Sequence, residues 1–279
     1  MILRGAPILS VGWLILITIV AVGAPVLAPL DPQQPLGPPL SYPAQASFLG
    51  TDSLGRDLLS RLIFGTRFSL SIALLASAIT ISVGTLFGLT AAVFPGLFDR
   101  IMLWASNTLL AIPGLLLAML VVARTGTGLA SVVFAIGIGG IPGFLRLSRA
   151  LFIQIRSQAF ISSAVALGGS KLWIARFHIL PNAGPRYISI STIHIAWAFL
   201  GATSLTFLGF AGDPSIPEWG SMLNTGRSFL NQAPHLAILP GFAISATIMA
   251  IQSLGRWISH ISDPLDAGWR SSQSGNRNR

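Results

Sequence analysis

FSLSIALLASAITISVGTLFGLTAAVF, running from Phe68 to Phe94, carries no charged side chain. A helix rises about 1.5 Å per residue, so roughly 20 apolar residues cross a hydrocarbon core of about 30 Å. This stretch exceeds that length. With roughly 8–30, 98–123, 128–145, 183–210 and 235–258 it makes six such stretches. The fourth in chain order, 128–145, is the shortest and holds Gly137, Gly139, Gly140 and Pro142. Backbone groups in lipid must be bonded internally, so each stretch is expected to be helical. The expected fold is an all-α polytopic bundle of about six transmembrane helices. Its expected parts are a first helix and outer segment at 1–67, a core at 68–266 and a disordered tail at 267–279, rich in Ser, Asn and Arg.

Composition agrees. Hydrophobic residues make up 52% of the 279, and charged residues only 9%. Soluble domains carry about a quarter charged residues, so water cannot cover this surface and lipid must. The net charge of +9 sits between apolar runs rather than on a face interleaved with stacking aromatics. It therefore points to membrane orientation and not to nucleic acid. There is no cysteine, which removes disulfide frameworks, thiolate metal sites and cysteine nucleophiles. The first apolar run is too long for a signal-peptide core, and Pro29 would follow the cut directly, so it is read as an uncleaved helix.

With the N-terminus placed in the cytoplasm, twelve of the 17 Lys and Arg residues fall inside. The outer five are Arg56, Arg61, Arg67, Arg124 and Arg227. The opposite orientation violates the positive-inside rule, so both termini are expected in the cytoplasm. No acid falls in the middle of an expected span. His194 is the one ionisable candidate there, and either a hydrogen bond between helices or a wet cavity accounts for it. Gly84 and Gly88 have the Gly-x-x-x-Gly spacing that lets helices approach closely. Zinc signatures, a Gly-x-Ser-x-Gly elbow and paired carboxylates on one helix are all missing. Gly168-Gly169-Ser170-Lys171 lacks both the earlier Gly and the following Ser/Thr of a phosphate loop. No cofactor is expected on this chain, and no catalysis.

Three connections stand out. The segment 31–67 opens Pro-rich and closes with the polar run Gly50 to Asp57. If 52–61 is helical, Asp57 and Arg61 stand four apart and can pair. The loop 146–182 carries a small, apolar, lightly charged stretch, Phe160 to Leu172. It suits a groove on another protein, or folds back on its own bundle. The last loop, 211–234, holds Asp213, Glu218 and Trp219. Asn107, Thr108, Ser191, Thr192, His194 and Ser204 are polar residues within spans; they line a pore or bond between helices.

The loop resembles the Glu-Ala-Ala loop of ABC importer permeases. Ser162, Ser163 and Ala164 occupy its first slots, Gly168 follows after three residues, and His178-Ile179-Leu180-Pro181 closes it at the matching spacing. His-Ile-Leu-Pro-Asn is similar to the ending in the dipeptide, oligopeptide and nickel branch. Further blocks resemble that branch's shorter, C-type permease in order and spacing: Leu49-Gly50-Thr51-Asp52 with Gly55-Arg56-Asp57, Phe207-Leu208-Gly209, Glu218-Trp219-Gly220, Leu239-Pro240-Gly241 and Asp263-Pro264.

The resemblance implies a bacterial inner-membrane subunit that forms half of a translocation pore for small peptides, nickel or a metal chelate. It implies a second permease, two ATPase subunits that hold ATP and Mg, and an extracytoplasmic binding protein. The stretch Ala164 to Leu172, with Gly169 and Lys171, is then the coupling helix in an ATPase groove. Asp52, Arg56, Asp57, Arg61, Glu218 and Trp219 then brace an outer gate or receive the binding protein. The sequence departs from the pattern at Ser162, where the loop usually has Glu, at Lys171 and at Arg256, where acids are usual. Ser162 keeps the capacity to cap a helix. A secondary transporter or channel is the rival reading, and it needs intramembrane charge or repeat symmetry.

Overall fold

A computed structural model describes residues 6–44 and 47–262. The expected tail at 267–279 and the Asp263-Pro264 block lie outside the described residues. The helices are α1 (Ala6–Leu27), α2 (Leu58–Val93), α3 (Leu97–Leu110), α4 (Gly114–Thr125), α5 (Leu129–Arg156), α6 (Ala159–Ala166), α7 (Lys171–Ile174), α8 (Leu180–Leu205), α9 (Trp219–Arg227) and α10 (His235–Ser262). Two π-helical segments, Ala175–Ile179 and Thr206–Phe210, join α7 to α8 and extend α8. Strand pairing among the described residues is limited to isolated bridges, such as Pro35 with Arg56. Five helical runs are long and apolar enough to cross a membrane, and the bent pair α3–α4 makes a sixth. The all-α polytopic expectation holds.

The boundaries differ from expectation for physical reasons. The second span starts at Leu58, not near 68, because Asp57 caps it: its Oδ2 accepts the Ser60 N–H at 2.8 Å. Arg61 and Arg67 are thereby helical. The third span is not continuous. α3 stops at Leu110 and α4 starts at Gly114, with a bend of 89° at the break. Pro113 has no N–H and disfavours helical geometry at Ile112 before it. The fourth continues to Arg156 through Pro142, and the fifth begins as early as Lys171. There the ring of Pro181 would clash with the carbonyl of Phe177 in a regular helix. The turn is instead widened, and the Leu180 N–H reaches back to the Ala175 carbonyl.

The chain forms two compact units that interleave along the sequence. One takes the chain up to Thr80, Ile112–Gly140 and Ile195–Ile251. Its core is built in part from Leu58, Phe199, Trp219, Leu236 and Ile244, and in part from Ile72, Val122, Val132, Ala202 and Leu205. α1 is fastened to α10 within it. Trp13 Nε1 donates to the Thr247 hydroxyl at 3.1 Å, and its ring meets Phe242 edge-on at 6.0 Å.

The other unit takes Ile81–Ala111, Ile141–His194 and the chain from Gln252. Here Gly84 and Gly88 let α2 lie directly on α5. A Cβ on Gly84 would meet Phe144, and one on Gly88 would meet the Ser148 hydroxyl and the backbone of Leu145 and Arg149. Ser148 Oγ donates to the Gly84 carbonyl at 3.1 Å. Arg149 grips Asp99, in the first turn of α3, through two bonds of 2.5 and 2.6 Å. Arg156 donates to the Ala92 carbonyl at 2.7 Å and so satisfies a free group at the end of α2.

Gly88→Val should cost about 1–3 kcal/mol, the usual range for overpacking a tight contact. Thermal unfolding of the purified protein is the measurement. An unchanged midpoint would mean that α2 and α5 do not meet as described.

Candidate functional site

The loop after α5 is a small structure in its own right. Gln158 opens α6 with an extended backbone and no side-chain cap. Ile161, 3% exposed, and Ala164, 8% exposed, lie three apart on one face. They pack on Leu151, Phe152 and Ile155 of α5 and on Ile174 and Ile179. Ser162, Ser163, Val165 and Ala166 point away from that core and are exposed.

α6 closes with a Schellman turn. The Gly168 N–H bonds to the Val165 carbonyl and the Gly169 N–H to the Ala164 carbonyl, each at 3.0 Å. Gly168 sits at φ +85°, where a side chain is strained. Its reason is this turn; the alternative, a close approach, is absent, because nothing lies within 4 Å of where its Cβ would be. Gly169 is the tight position, since a Cβ there would stand 2.9 Å from the Ala164 carbonyl.

Two expectations are corrected here. The helix is Ala159–Ala166, and residues 167–170 are turn, so Ala164 to Leu172 is not one helix. Ser162 lies inside α6 and caps nothing. The capping serine is Ser170, whose hydroxyl accepts the Trp173 N–H at 3.3 Å at the start of α7.

Beyond the turn, Leu172, Trp173 and Phe177 are exposed, and Leu167 is 89% exposed. Lys171 places its ammonium 5.5 Å from the Phe94 ring centre. His178 packs edge-on against Trp173 at 4.7 Å, and Asn182 Nδ2 donates to the His178 carbonyl at 2.6 Å. Leu180 and Pro181 follow, both exposed. The loop thus buries one face in its own unit and shows an apolar one.

The block at 52–61 is an interior network. Residues 52–57 form a turn, not a helix, so Asp57 and Arg61 do not pair along a helix face. Asp57 is fully buried and accepts from the Ser47 hydroxyl and the Ser60 N–H. Asp52 takes both arginines: Arg56 Nε at 2.8 Å and Arg61 Nε at 3.3 Å. Arg61, 4% exposed, then donates to the carbonyls of Pro32, Ser215 and Pro214 at 3.0, 3.3 and 3.2 Å. It staples the segment after α1 and the loop before α9 to α2.

Glu218 caps α9 by accepting the Ser221 N–H at 2.9 Å, and it takes the Ser69 hydroxyl at 2.8 Å. Trp219 donates from Nε1 to the Leu62 carbonyl at 3.0 Å. All six side chains are buried. Asp213 is exposed nearby, and the Ser215 backbone N–H, then its hydroxyl, hold its carboxyl below the usual range.

The polar residues within spans divide. Thr108, Thr192 and Ser204 donate to carbonyls four residues earlier in their own helices. Ser191 Oγ and His194 Nε2 are buried without a partner, and the His194 ring meets Phe144 edge-on at 5.2 Å. Asn107 is exposed. Among the described residues none of the six makes a side-chain bond to another helix. Sequence reasoning missed Ser47, Ser60, Ser69, Ser170 and the Asp99–Arg149 pair. Only Ser170, directly before a helical run, and Asp57, three before Ser60, carried a readable capping signal.

Comparisons with known proteins place the chain. The family described as "Binding-protein-dependent transport system inner membrane component" matches residues 84–265. The glutathione transport system permease protein GsiD of Pectobacterium atrosepticum is 40% identical over 222 residues, covering 80% of this chain and 74% of that protein. The GsiD of Escherichia coli is 38% identical over 263 residues, covering 92% and 85%. A chain of the inward-facing MetNI methionine ABC transporter shares the fold at TM-score 0.59 and 17% identity, over 73% of this chain and 96% of that one.

Arg61→Ala should leave Asp52 with one guanidinium partner and three carbonyls without their donor, a loss of about 1–3 kcal/mol. Limited proteolysis should then cut within 31–57 where the parent resists. Equal resistance in the variant would mean that the staple is dispensable.

Proposed function

The chain belongs to the binding-protein-dependent transport system inner membrane components, and on that premise we propose how its described surfaces serve import. It is a membrane-spanning permease subunit of an ABC importer and not an enzyme; ATP is hydrolysed by partner ATPases. Its loop from α6 to Trp173 seats in a groove of an ATPase subunit. The observation that carries this is the division of the loop, with Ile161 and Ala164 buried and Val165, Leu167 and Leu172 exposed. An exposed apolar face on an otherwise folded loop is the mark of a protein contact.

In the assembly two ATPases hold ATP and Mg, a second, longer permease completes the pore, and a binding protein delivers solute. Both termini are cytoplasmic, which the excess of Lys and Arg on the α6 side supports. The network around Asp52, Arg56, Asp57 and Arg61 keeps the outer mouth rigid, and Glu218 and Trp219 fix α9 beside it. Nucleotide-driven closure of the ATPases moves the loop, and rigid helices carry the motion as hinge or shear. Ser191, His194 and Asn107 retain unused polar groups and are the residues of the spans suited to a wet path. The solute is glutathione or a small peptide of similar size, by likeness to the two GsiD proteins.

Leu167→Asp replaces a side chain that packs on nothing in this chain, so folding should change by less than about 0.5 kcal/mol. Co-purification of the ATPases and uptake of labelled glutathione by proteoliposomes should both fall sharply. Retention of both would remove the loop from the contact. Loss of neither partner nor folding, with no glutathione uptake even in the parent, would remove the solute assignment alone.

A further inference from the structure

The end of α1 leaves a cavity that nothing above uses. The helix stops at Leu27, and the chain leaves it through a bend at Pro29–Leu30 and a turn at Pro32–Gln33. That segment is pinned to the first turns of α2. Ser60 Oγ accepts the Leu30 N–H at 3.1 Å, and Arg61 holds the Pro32 carbonyl at 3.0 Å. Phe64 and Phe68 follow Ser60 at steps of four, on the same helix face, and both are half-buried. The space between Phe64, Phe68, Pro217, Pro25 and Ala28 is a cavity of about 530 Å³.

Its size lies within the range of small-molecule sites, about 300–1,000 Å³. Phe64, Phe68, Pro217, Pro25 and Ala28 give it an apolar floor, and Asp31 and Gln33 a polar edge. The site opens at the end of a helix that is apolar on all sides and scarcely buried in its own chain, so the apolar liquid at hand is lipid. One charge stands at the rim. Asp31 accepts from the Gln33 N–H at 2.9 Å and from the Gln34 side chain at 3.0 Å, and it has no cationic partner among the described residues. An ammonium head group complements it, and an anionic head group does not.

We propose that this cavity binds one acyl chain of a phospholipid whose ammonium head group rests at Asp31, a lipid of the phosphatidylethanolamine type. The chain lies against Phe64 and Phe68, and the head stays at the water boundary. Ala28 and Pro25 leave the room, where a larger side chain would fill it.

The test uses the intact complex reconstituted in nanodiscs of equal phosphatidylethanolamine and phosphatidylglycerol, released into mild detergent and weighed by native mass spectrometry. The parent should retain phosphatidylethanolamine in preference to phosphatidylglycerol. Ala28→Phe should lose that retained lipid with its thermal midpoint unchanged. Asp31→Asn should keep a lipid but weaken the head-group preference by about two- to fivefold, the range an exposed ion pair spans. Should Ala28→Phe fail to fold, the Asp31→Asn ratio decides alone. Equal retention of both lipids by the parent, or unchanged retention in the variants, overturns the proposal. So does cross-linking of Ala28→Cys, unique in a chain without cysteine, to another protein chain of the complex, which would give the cavity to that subunit.

Discussion

A peptide group cut off from water must find its partner in the protein, in hydrocarbon above all, and several irregularities of this chain answer that constraint. Where Pro181 would obstruct a regular turn, the helix widens rather than stops. Where α2 ends, Arg156 reaches across to the carbonyl of Ala92. Where α6 ends, the two Gly N–H groups return to Val165 and Ala164. Thr108, Thr192 and Ser204 spend their hydroxyls on the preceding turn. The break from Ala111 to Pro113 separates α3 from α4 and is exposed along its length.

The segments outside the spans meet the opposite difficulty: they have little apolar surface with which to fold. The stretch from Asp31 to Asp57 is rich in proline and forms no helix among its described residues. Charge replaces the missing core. Asp52 draws in two guanidinium groups, and Arg61 spends its remaining donors on backbone carbonyls from two distant segments. Arginine is suited to this, because its planar fork offers five donors at fixed angles.

This contrast explains what could be read in advance. Helical spans were legible because hydrophobic length is a property of the sequence itself. The loop's likeness to the family pattern was legible from its small residues and from the spacing of Gly168 to Pro181. Its helix was misplaced by several residues because Gly168 and Gly169 end α6 rather than lie within it. The role of Arg61 was not legible, since Pro32, Pro214 and Ser215 accept through their carbonyls, and a carbonyl leaves no mark on residue type. For the same reason Asp57 was paired with Arg61 by helical spacing, when Ser47 and the Ser60 N–H hold it.

If an ATPase subunit docks on this loop as proposed, the Schellman closure of α6 also bears on how tightly it is held. Ile161 and Ala164 already anchor the helix, and Ser170 already caps the next. Little freedom remains in the backbone there for an arriving protein to freeze. Disordered peptides that fold on contact sacrifice several kcal/mol of affinity to ordering, about 2–5 in typical cases. A ready-made surface avoids most of that loss, so a modest apolar contact suffices for binding and can still be released on each turnover.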